Sequence, residues 1–230
     1  MRKFIISIVV TILLCPVGVA LAVQRVVTSY IISDVWYENI FLIADKTDWM
    51  STKNFTVQVG DDLFYNFPDW RNEKFTPKLF HEDINADELK DIIVVLISGA
   101  GSGISTKEIH VLNQLQDPYT RYNEVPVESV TEAVQRLVKM EQIGDKISIL
   151  IGKKEYEVDY TKFNYHTPNN SPQIGAIEEY SPENGVLYGY TTVFVSIPEA
   201  SIGTFKVKYV WDGERYKADS VAFIELEQSN

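Results

Sequence analysis

Short apolar runs bounded by turn residues are the main pattern of this chain. The clearest run, "IIVVLI" at residues 92–97, lies between Asp91 and Ser98 and is mostly β-branched. A continuous apolar run of this length predicts a strand that is buried on both faces. The segment "STKEIHVLNQL" at residues 105–115 is predicted to be its partner strand, because a glycine-rich stretch connects the two.

The stretch "SVTEAVQRLVKME" at residues 129–141 has a helical period. Ser129 and Glu132 form a predicted capping box, in which each side chain accepts a hydrogen bond from an otherwise unpaired backbone N–H. The apolar residues fall on one stripe, so the helix is expected to pack on a sheet. They are Val130, Ala133, Val134, Leu137 and Val138.

After Gly144 the chain alternates between strand-like runs and turn signals. Turns are predicted at residues 152–154, at residues 181–185 and at Asp212-Gly213, where the Asp-Gly pair is typical of a two-residue hairpin. Residues 146–226 are therefore predicted to form a β-meander.

The pattern before residue 60 is less regular. The N-terminal segment 23–59 is of uncertain structure, because residues 24–50 show no clean period. The stretch "FTVQVGDDLFYNF" at residues 55–67 has two strand-like runs. Gly60-Asp61-Asp62 predicts a hairpin turn, and Pro68 and Pro77 bracket a predicted loop. The predicted fold is an α+β domain over residues 60–228, a mostly antiparallel β-sheet or meander with one packed amphipathic helix, preceded by the segment 23–59 and a signal peptide.

The signal peptide is predicted at residues 1–22. Arg2 and Lys3 precede a mostly apolar run at residues 4–19, and "ALA" at residues 20–22 is a small-x-small cleavage site. The mature chain would begin at Val23, would contain no cysteine, and would be secreted or displayed at the cell surface. The alternative is an uncleaved membrane anchor, since the run approaches the roughly 20 residues that span a bilayer.

The formal net charge of the chain is −11, from 21 basic and 32 acidic residues. Binding to nucleic acid or to an anionic membrane needs clustered Lys and Arg, so this charge disfavours both. Membrane contact is expected only through the N-terminal segment, if that segment is uncleaved. Acidity instead suits the attraction of cations.

The glycine-rich stretch contains Gly99, Gly101 and Gly103 in "SGAGSGISTK". A dinucleotide fingerprint needs G-x-G-x-x-G, and a phosphate loop needs G-x-x-x-x-G-K-[ST]. Neither spacing is present, so the stretch is interpreted as a hairpin connection.

The acidic segment "DINADELKD" at residues 83–91 carries the strongest candidate for a metal site. Oxygen ligands at alternating positions of a tight loop suit calcium. The predicted ligands are Asp83, Asn85, Asp87 and Asp91, with a backbone carbonyl from Leu89. Glu88 occupies the position where such loops require the backbone freedom of Gly. The alternative is a plain turn in which Asn85 and Asp87 bond to local backbone.

This segment, extended to "LFHEDINADELKDIIVVLISG", resembles one FG-GAP/VCBS-type unit, a D-x-N-x-D-G-x-x-D loop that leads into an apolar strand in integrin-like propeller blades. The unit covers residues 60–113. With the helix and the ending "KVKYVWDGERYKA", the order of elements over residues 60–226 is similar to a group of uncharacterised exported proteins of spore-forming Gram-positive bacteria. The resemblance implies one such unit rather than a full propeller, and it implies no activity.

Other candidate chemistry is sparse. The histidines His81, His110 and His166 have no metal-binding spacing, and His110 is expected on a strand surface. The tryptophans can form a carbohydrate-stacking face, although core packing is expected for most of them. They are Trp36, Trp49, Trp70 and Trp211.

The sequence predicts an exported, non-catalytic binding or structural module of the bacterial cell envelope with an envelope or extracellular partner. The alternative is a secreted carboxylate-dependent hydrolase that acts on cell-wall or other polysaccharide. A flat aromatic or acidic face would favour the binding module, and a deep cleft with paired acids would favour the hydrolase.

Overall fold

The computed structural model describes residues 23–116, 121–163, 171–197 and 200–226. In these ranges the fold is mostly β, with one α-helix, α1 (Val130–Leu137), and two short 3₁₀ turns at Trp36–Glu38 and Tyr160–Phe163. None of the helices in the described ranges has the length and apolar character needed to cross a bilayer. The strands are β1 (Arg25–Ile31), β2 (Ile40–Lys46), β3 (Ser51–Val59), β4 (Leu63–Glu73), β5 (Lys78–Glu82), β6 (Asp91–Gly101), β7 (Ile104–Gln114), β8 (Tyr122–Val125), β9 (Val138–Ile143), β10 (Lys146–Ile151), β11 (Lys154–Asp159), β12 (Pro172–Glu183), β13 (Val186–Val195), β14 (Ser201–Trp211) and β15 (Tyr216–Glu225).

The strands form three sheets. The first sheet has the order β1-β2-β3-β4, and a small sheet has the order β11-β10-β9. The largest sheet has the order β15-β14-β13-β12-β7-β6-β5, with β8 paired to β7. Its strands pair antiparallel except where β12 meets β7, which is parallel at Ile177 and Ser105.

Strand β6 lies between two hydrophobic cores. Ile93 and Val95 belong to the core shared with α1 and the C-terminal strands. Ile92, Val94 and Leu96 belong to the core beneath the first sheet. All five side chains are at most 1% exposed. The prediction of a strand buried on both faces, with β7 as its partner, is confirmed.

Helix α1 begins where the sequence predicts. Ser129 Oγ accepts a hydrogen bond from Glu132 N at 3.2 Å, and Glu132 Oε2 accepts one from Ser129 N at 3.3 Å. The predicted end at residue 141 is wrong, because the helix stops at Leu137. Val138 is extended and opens β9 by pairing with Ile151 of β10, so sheet pairing replaces the last helical turn.

Replacing Ser129 with Ala is expected to lower the free energy of unfolding by about 0.5–2 kcal/mol, because the N–H of Glu132 loses its partner. Urea denaturation checks this. The matched control is Gln135→Ala, at an exposed position of the same helix, which leaves the capping box intact. An unchanged denaturation midpoint for the Ser129 variant would contradict the importance of the cap.

The turn signals of the C-terminal half are largely confirmed. Gly152-Lys153 joins β10 to β11, and Asn184-Gly185 joins β12 to β13 with φ values of 53° and 75° at its two residues. Asp212-Gly213 instead lies in a four-residue turn, because the last ladder pair is Trp211 with Tyr216.

The loop predicted between the two prolines is wrong in its first half. Strand β4 continues through Pro68 to Glu73. Pro68 is tolerated because β4 is the last strand of its sheet and its pairing with β3 is irregular there. The hairpin predicted at Gly60-Asp61-Asp62 is confirmed, because Val59 of β3 pairs with Leu63 of β4. Residues 25–50, which gave no sequence signal, contain β1 and β2 of that sheet.

Candidate functional site

The acidic loop between β5 and β6 closes on itself through hydrogen bonds. Asp83 Oδ1 accepts from the backbone N–H of Asn85 at 3.3 Å and of Ala86 at 2.8 Å, and its Oδ2 accepts from Glu88 N at 3.0 Å. Asn85 Oδ1 accepts from Asp87 N at 3.0 Å. These bonds form consecutive Asx turns and bring the side chains of Asp83, Asn85 and Asp87 around one tight loop.

Two residues of this loop have a left-handed backbone. Ala86 has φ of 63° and Glu88 has φ of 69°. A side chain at such a position costs roughly 1–2 kcal/mol relative to the right-handed region. Glu88 is therefore strained at the position where the sequence pattern calls for Gly.

Asp91 lies beneath the loop and is fully buried. Its Oδ1 accepts from Gln114 N at 3.1 Å, and its Oδ2 accepts from Ile84 N at 3.3 Å. The hydroxyl of Tyr216 lies 3.3 Å from Oδ2 and 3.0 Å from Asn113 Oδ1. Burial raises the pKa of Asp91 to about 6, against partial compensation by the two backbone N–H groups.

The predicted ligand set suits calcium only in part. Asp83, Asn85 and Asp87 lie together, and Leu89 follows with its N–H bonded to Asp87 Oδ1 at 2.9 Å. Both oxygens of Asp91 are engaged in the core beneath. Over the described ranges no group of three or more His, Cys, Asp or Glu side chains is arranged to hold a metal ion. Of the predicted side-chain ligands, the loop therefore brings together two carboxylates, Asp83 and Asp87, and the amide of Asn85.

A pocket of about 260 Å³ adjoins the loop. His81 Nε2 lies 3.2 Å from the Tyr122 hydroxyl at its base, and Lys90 Nζ lies 3.8 Å from Glu38 Oε2 at its rim. Burial, with help from Lys90, lowers the pKa of His81, and burial raises the pKa of Tyr122. Both groups are therefore neutral near pH 7 and act as hydrogen-bonding groups.

The expectation that His110 lies on a strand surface is wrong. His110 is buried and stacks on Trp70 with ring centroids 3.9 Å apart. Its Nδ1 lies 2.9 Å from Glu124 Oε1. Sequence alternation could not show this burial, because the first sheet covers β7 from a distant part of the chain. His166 lies outside the described residues.

The four tryptophans divide between core and surface. Trp70 is buried between Phe67 and His110, and Trp211 packs on Tyr216 with centroids 5.1 Å apart. Trp36 and Trp49 are 62% and 81% exposed. Core packing therefore accounts for two of the four, and the other two are available to a ligand.

The outer face of the first sheet, which points away from the core, carries three rows of side chains across its strands. The row nearest the start of β1 is charged, and the next row is mixed. The third row, called the aromatic row, has three aromatic side chains and one amide in direct cross-strand register, namely Tyr30, Phe41, Gln58 and Phe64. Tyr30 and Phe64 are 64% and 54% exposed. The mixed row is Val27, Ile43, Thr56 and Asn66, and the charged row is Arg25, Asp45, Lys53 and Arg71.

Exposed aromatic side chains are confined to this part of the fold. Among the described residues, every aromatic side chain that is classed as exposed lies between residues 30 and 75. Large exposed apolar patches on soluble domains mark interaction sites. These aromatics are Tyr30, Trp36, Tyr37, Trp49, Phe64 and Phe75. Sequence reasoning missed the row because residues 24–50 show no clean period, and only the strand register aligns its members.

No known protein family, curated protein or solved structure matches this chain. The resemblance to FG-GAP/VCBS-type units therefore stays a prediction.

Proposed function

We propose that this protein is an exported, non-catalytic binding module of the bacterial cell envelope. Its ligand-binding surface is the outer face of the first sheet, centred on the row of Tyr30, Phe41 and Phe64. The observation that carries the proposal is the row itself, in which Tyr30, Phe41 and Phe64 lie in cross-strand register and Tyr30 and Phe64 are largely exposed.

The row suits an extended ligand with flat apolar faces and hydroxyl edges, such as a polysaccharide strand. Adjacent strands lie about 4.8 Å apart, so Tyr30 and Phe64 on the outer strands are separated by about 14 Å. Aromatic rings give contact area at small entropic cost because they have few rotatable bonds. Gln58 lies within the row and Asn66 lies in the next row. Gln58 Nε2 donates to Gly60 O and Asn66 Oδ1 accepts from Thr56 Oγ1, so Gln58 Oε1 and Asn66 Nδ2 are the amide atoms proposed to bond ligand hydroxyls.

The hydrolase alternative has less support. The pocket beside the acidic loop is lined by two carboxylates, Glu38 and Glu88. Glu38 is engaged by Ser33 Oγ at 3.2 Å and lies near Lys90.

The proposal is tested by sedimentation with purified cell-wall sacculi from a spore-forming Gram-positive bacterium. We expect the chain beginning at Val23 to co-sediment with the sacculi. The triple variant Tyr30→Ser, Phe41→Ser, Phe64→Ser should bind at least about tenfold more weakly, since about 1.4 kcal/mol of lost contact is enough for that change. A thermal melt shows whether the triple variant is folded. If it is not, the single variant Phe64→Ser replaces it in the sedimentation test.

Ile143→Ser is the matched control, because Ile143 is 61% exposed on β9 of the small sheet. It should bind like the parent. A parent chain that stays in solution, or a triple variant that sediments normally, would contradict the proposal. Release of soluble fragments from the sacculi would favour the hydrolase instead.

We also propose that the loop from Asp83 to Asp91 binds calcium weakly and for a structural purpose. Extracellular calcium modules have dissociation constants of about 10⁻⁴–10⁻³ M, and at 1 mM calcium such a site adds up to roughly 1.5 kcal/mol of stability. Thermal melts with calcium and with chelator should therefore differ by a few degrees. Asp87→Ala should remove the difference. Glu88→Gly should raise both melting temperatures and keep the difference, because Gly relieves a left-handed backbone that is present without calcium. If the parent melts at the same temperature with calcium and with chelator, the loop is a plain Asx turn without a calcium site.

Export is proposed from residues 1–22, which lie outside the described residues. N-terminal sequencing of the exported protein should begin at Val23, because cleavage is expected after "ALA". A protein that retains residues 1–22 would favour the membrane-anchored alternative.

A further inference from the structure

One end of the first sheet combines exposed apolar side chains with a local excess of positive charge. This end, called the entry end, comprises the charged row of the outer face and everything beyond it, namely residues 23–25, 45–53 and 70–76. The β2–β3 hairpin and the end of β4 lie here. Lys74 Nζ donates to Ala100 O at 2.7 Å, which places the glycine-rich β6–β7 turn at the same end.

The apolar side chains of the entry end project from its turns and its chain start. Trp49 is 81% exposed, Phe75 is 66% exposed and Val23 is 63% exposed. Trp49 and Phe75 line the same groove of about 310 Å³, and Met50 of the β2–β3 hairpin also lines it. Trp and Phe side chains at turn tips are suited to the boundary between water and lipid, where an apolar body meets a polar surface.

The charge of the entry end has the opposite sign to that of the chain. The three ranges of the entry end contain five cationic and three acidic side chains, which gives a local formal charge of +2. The formal net charge of the whole chain is −11. Lys and Arg near an anionic bilayer each contribute about 1 kcal/mol of attraction. The cations are Arg25, Lys46, Lys53, Arg71 and Lys74, and the carboxylates are Asp45, Asp48 and Glu73.

The apolar N-terminal run leads into this same end. Lys46 N donates to Gln24 O at 2.8 Å, which fixes the start of the described chain beside the β2–β3 hairpin. Only residues 20–22 separate Val23 from the apolar run at residues 4–19, and three residues span at most about 11 Å. Whenever the run occupies a bilayer, Val23 is therefore held within about 11 Å of its surface, and the β2–β3 hairpin beside it is kept near that surface.

We infer that the entry end is a docking surface for an anionic lipid bilayer. Trp49 and Phe75 insert at the headgroup level while Lys46, Lys53, Arg71 and Lys74 contact the lipid phosphates. Arg25 takes no part in this contact, because its Nε lies 3.1 Å from Asp45 Oδ1. The inference rests on the proposed envelope role and names the membrane as one surface that the module contacts. It leaves the outer aromatic row free, because that row lies towards the other end of the same strands.

Vesicle co-sedimentation tests the inference. The chain beginning at Val23 is used because every described strand and both cores lie within it. We expect binding to phosphatidylcholine vesicles that contain phosphatidylglycerol, with little binding to pure phosphatidylcholine or at high salt. Lys46→Gln with Lys74→Gln should weaken binding at least about tenfold, from two lost charges. Trp49→Ala with Phe75→Ala should weaken it similarly, from lost apolar burial.

Trp36→Ala is the matched control, because Trp36 is an exposed tryptophan at the opposite end of the sheet. It should bind vesicles like the parent. Absence of parent binding, equal binding to both vesicle types, or equal loss in the Trp36 variant would overturn the inference. A chain that binds sacculi but not vesicles would overturn the membrane inference while leaving the proposed function standing.

Discussion

Replacing Leu96 with Ala is expected to lower the free energy of unfolding by about 2–5 kcal/mol. Leu96 lies on β6, is fully buried, and fills the core between β6 and the first sheet. The substitution removes apolar contacts and leaves a cavity that the surrounding strands can only partly close. The large effect follows from the position of β6, because neither side of the strand faces water that could fill the space.

Urea denaturation at neutral pH measures this effect. The matched control is Ile224→Ala on β15, where the side chain is 51% exposed, and it should change stability by less than about 1 kcal/mol. Equal losses in the two variants would contradict the placement of β6 between two cores.

The carboxyl group of Asp91 is also expected to lower the free energy of unfolding by roughly 2 kcal/mol as pH rises from 4 to 7. Its pKa is about 6 in the folded protein against an ordinary value of 3.8. Between these values the folded state binds more protons than the unfolded state, so raising the pH favours unfolding. The loss is complete once the pH exceeds the folded pKa.

The hydrogen-bond geometry supports this direction. The Tyr216 hydroxyl has one hydrogen but faces two acceptors, Asp91 Oδ2 and Asn113 Oδ1. When Asp91 is protonated it can donate to Tyr216, and Tyr216 can then donate to Asn113. When Asp91 is ionised, one of these contacts has no hydrogen and a buried charge remains.

Asp91→Asn mimics the protonated form, since its amide can donate to Tyr216. We expect this variant to lose the downward slope between pH 4 and 7 and to match or exceed the parent at pH 7, despite losing the long bond from Ile84 N. The melts are run in chelator so that metal plays no part. Asp61→Asn, at an exposed turn, should retain the slope. Because carboxylates with lowered pKa, such as Asp48 and Glu128, contribute the opposite slope, the decisive quantity is the difference in stability between the parent and Asp91→Asn. A difference that does not change between pH 4 and 7 would contradict the assignment.

The sequence predicts the regular parts of this fold well. The run at residues 92–97 is apolar at every position, so both faces of β6 could be identified without its neighbours. The capping box at Ser129 is local, and so it fixes the start of α1. Residues 25–59 resist such reading because bulges at Thr28 and Asn54 shift the alternation of apolar residues.

The candidate surfaces depend on contacts that are distant in sequence. Tyr30 and Phe64 come from opposite edges of the sheet, and the strand register alone places them in one row. The net charge of −11 predicts repulsion from anionic surfaces. This total conceals the local positive charge of the entry end, which only the fold brings together. In contrast, the strain at Glu88 could be foreseen, because a calcium-type loop needs a left-handed backbone at that position.

Hydrogen exchange in the presence of soluble glycan fragments from the sacculi tests the binding surface most directly. We predict slower amide exchange in β1 to β4 around Tyr30, Phe41 and Phe64, and unchanged exchange in the loop from Asp83 to Asp91. The same slowing should be absent from the triple serine variant. Protection confined to the pocket at His81 and Tyr122, with none in the first sheet, would contradict the proposal that the outer aromatic row binds the ligand.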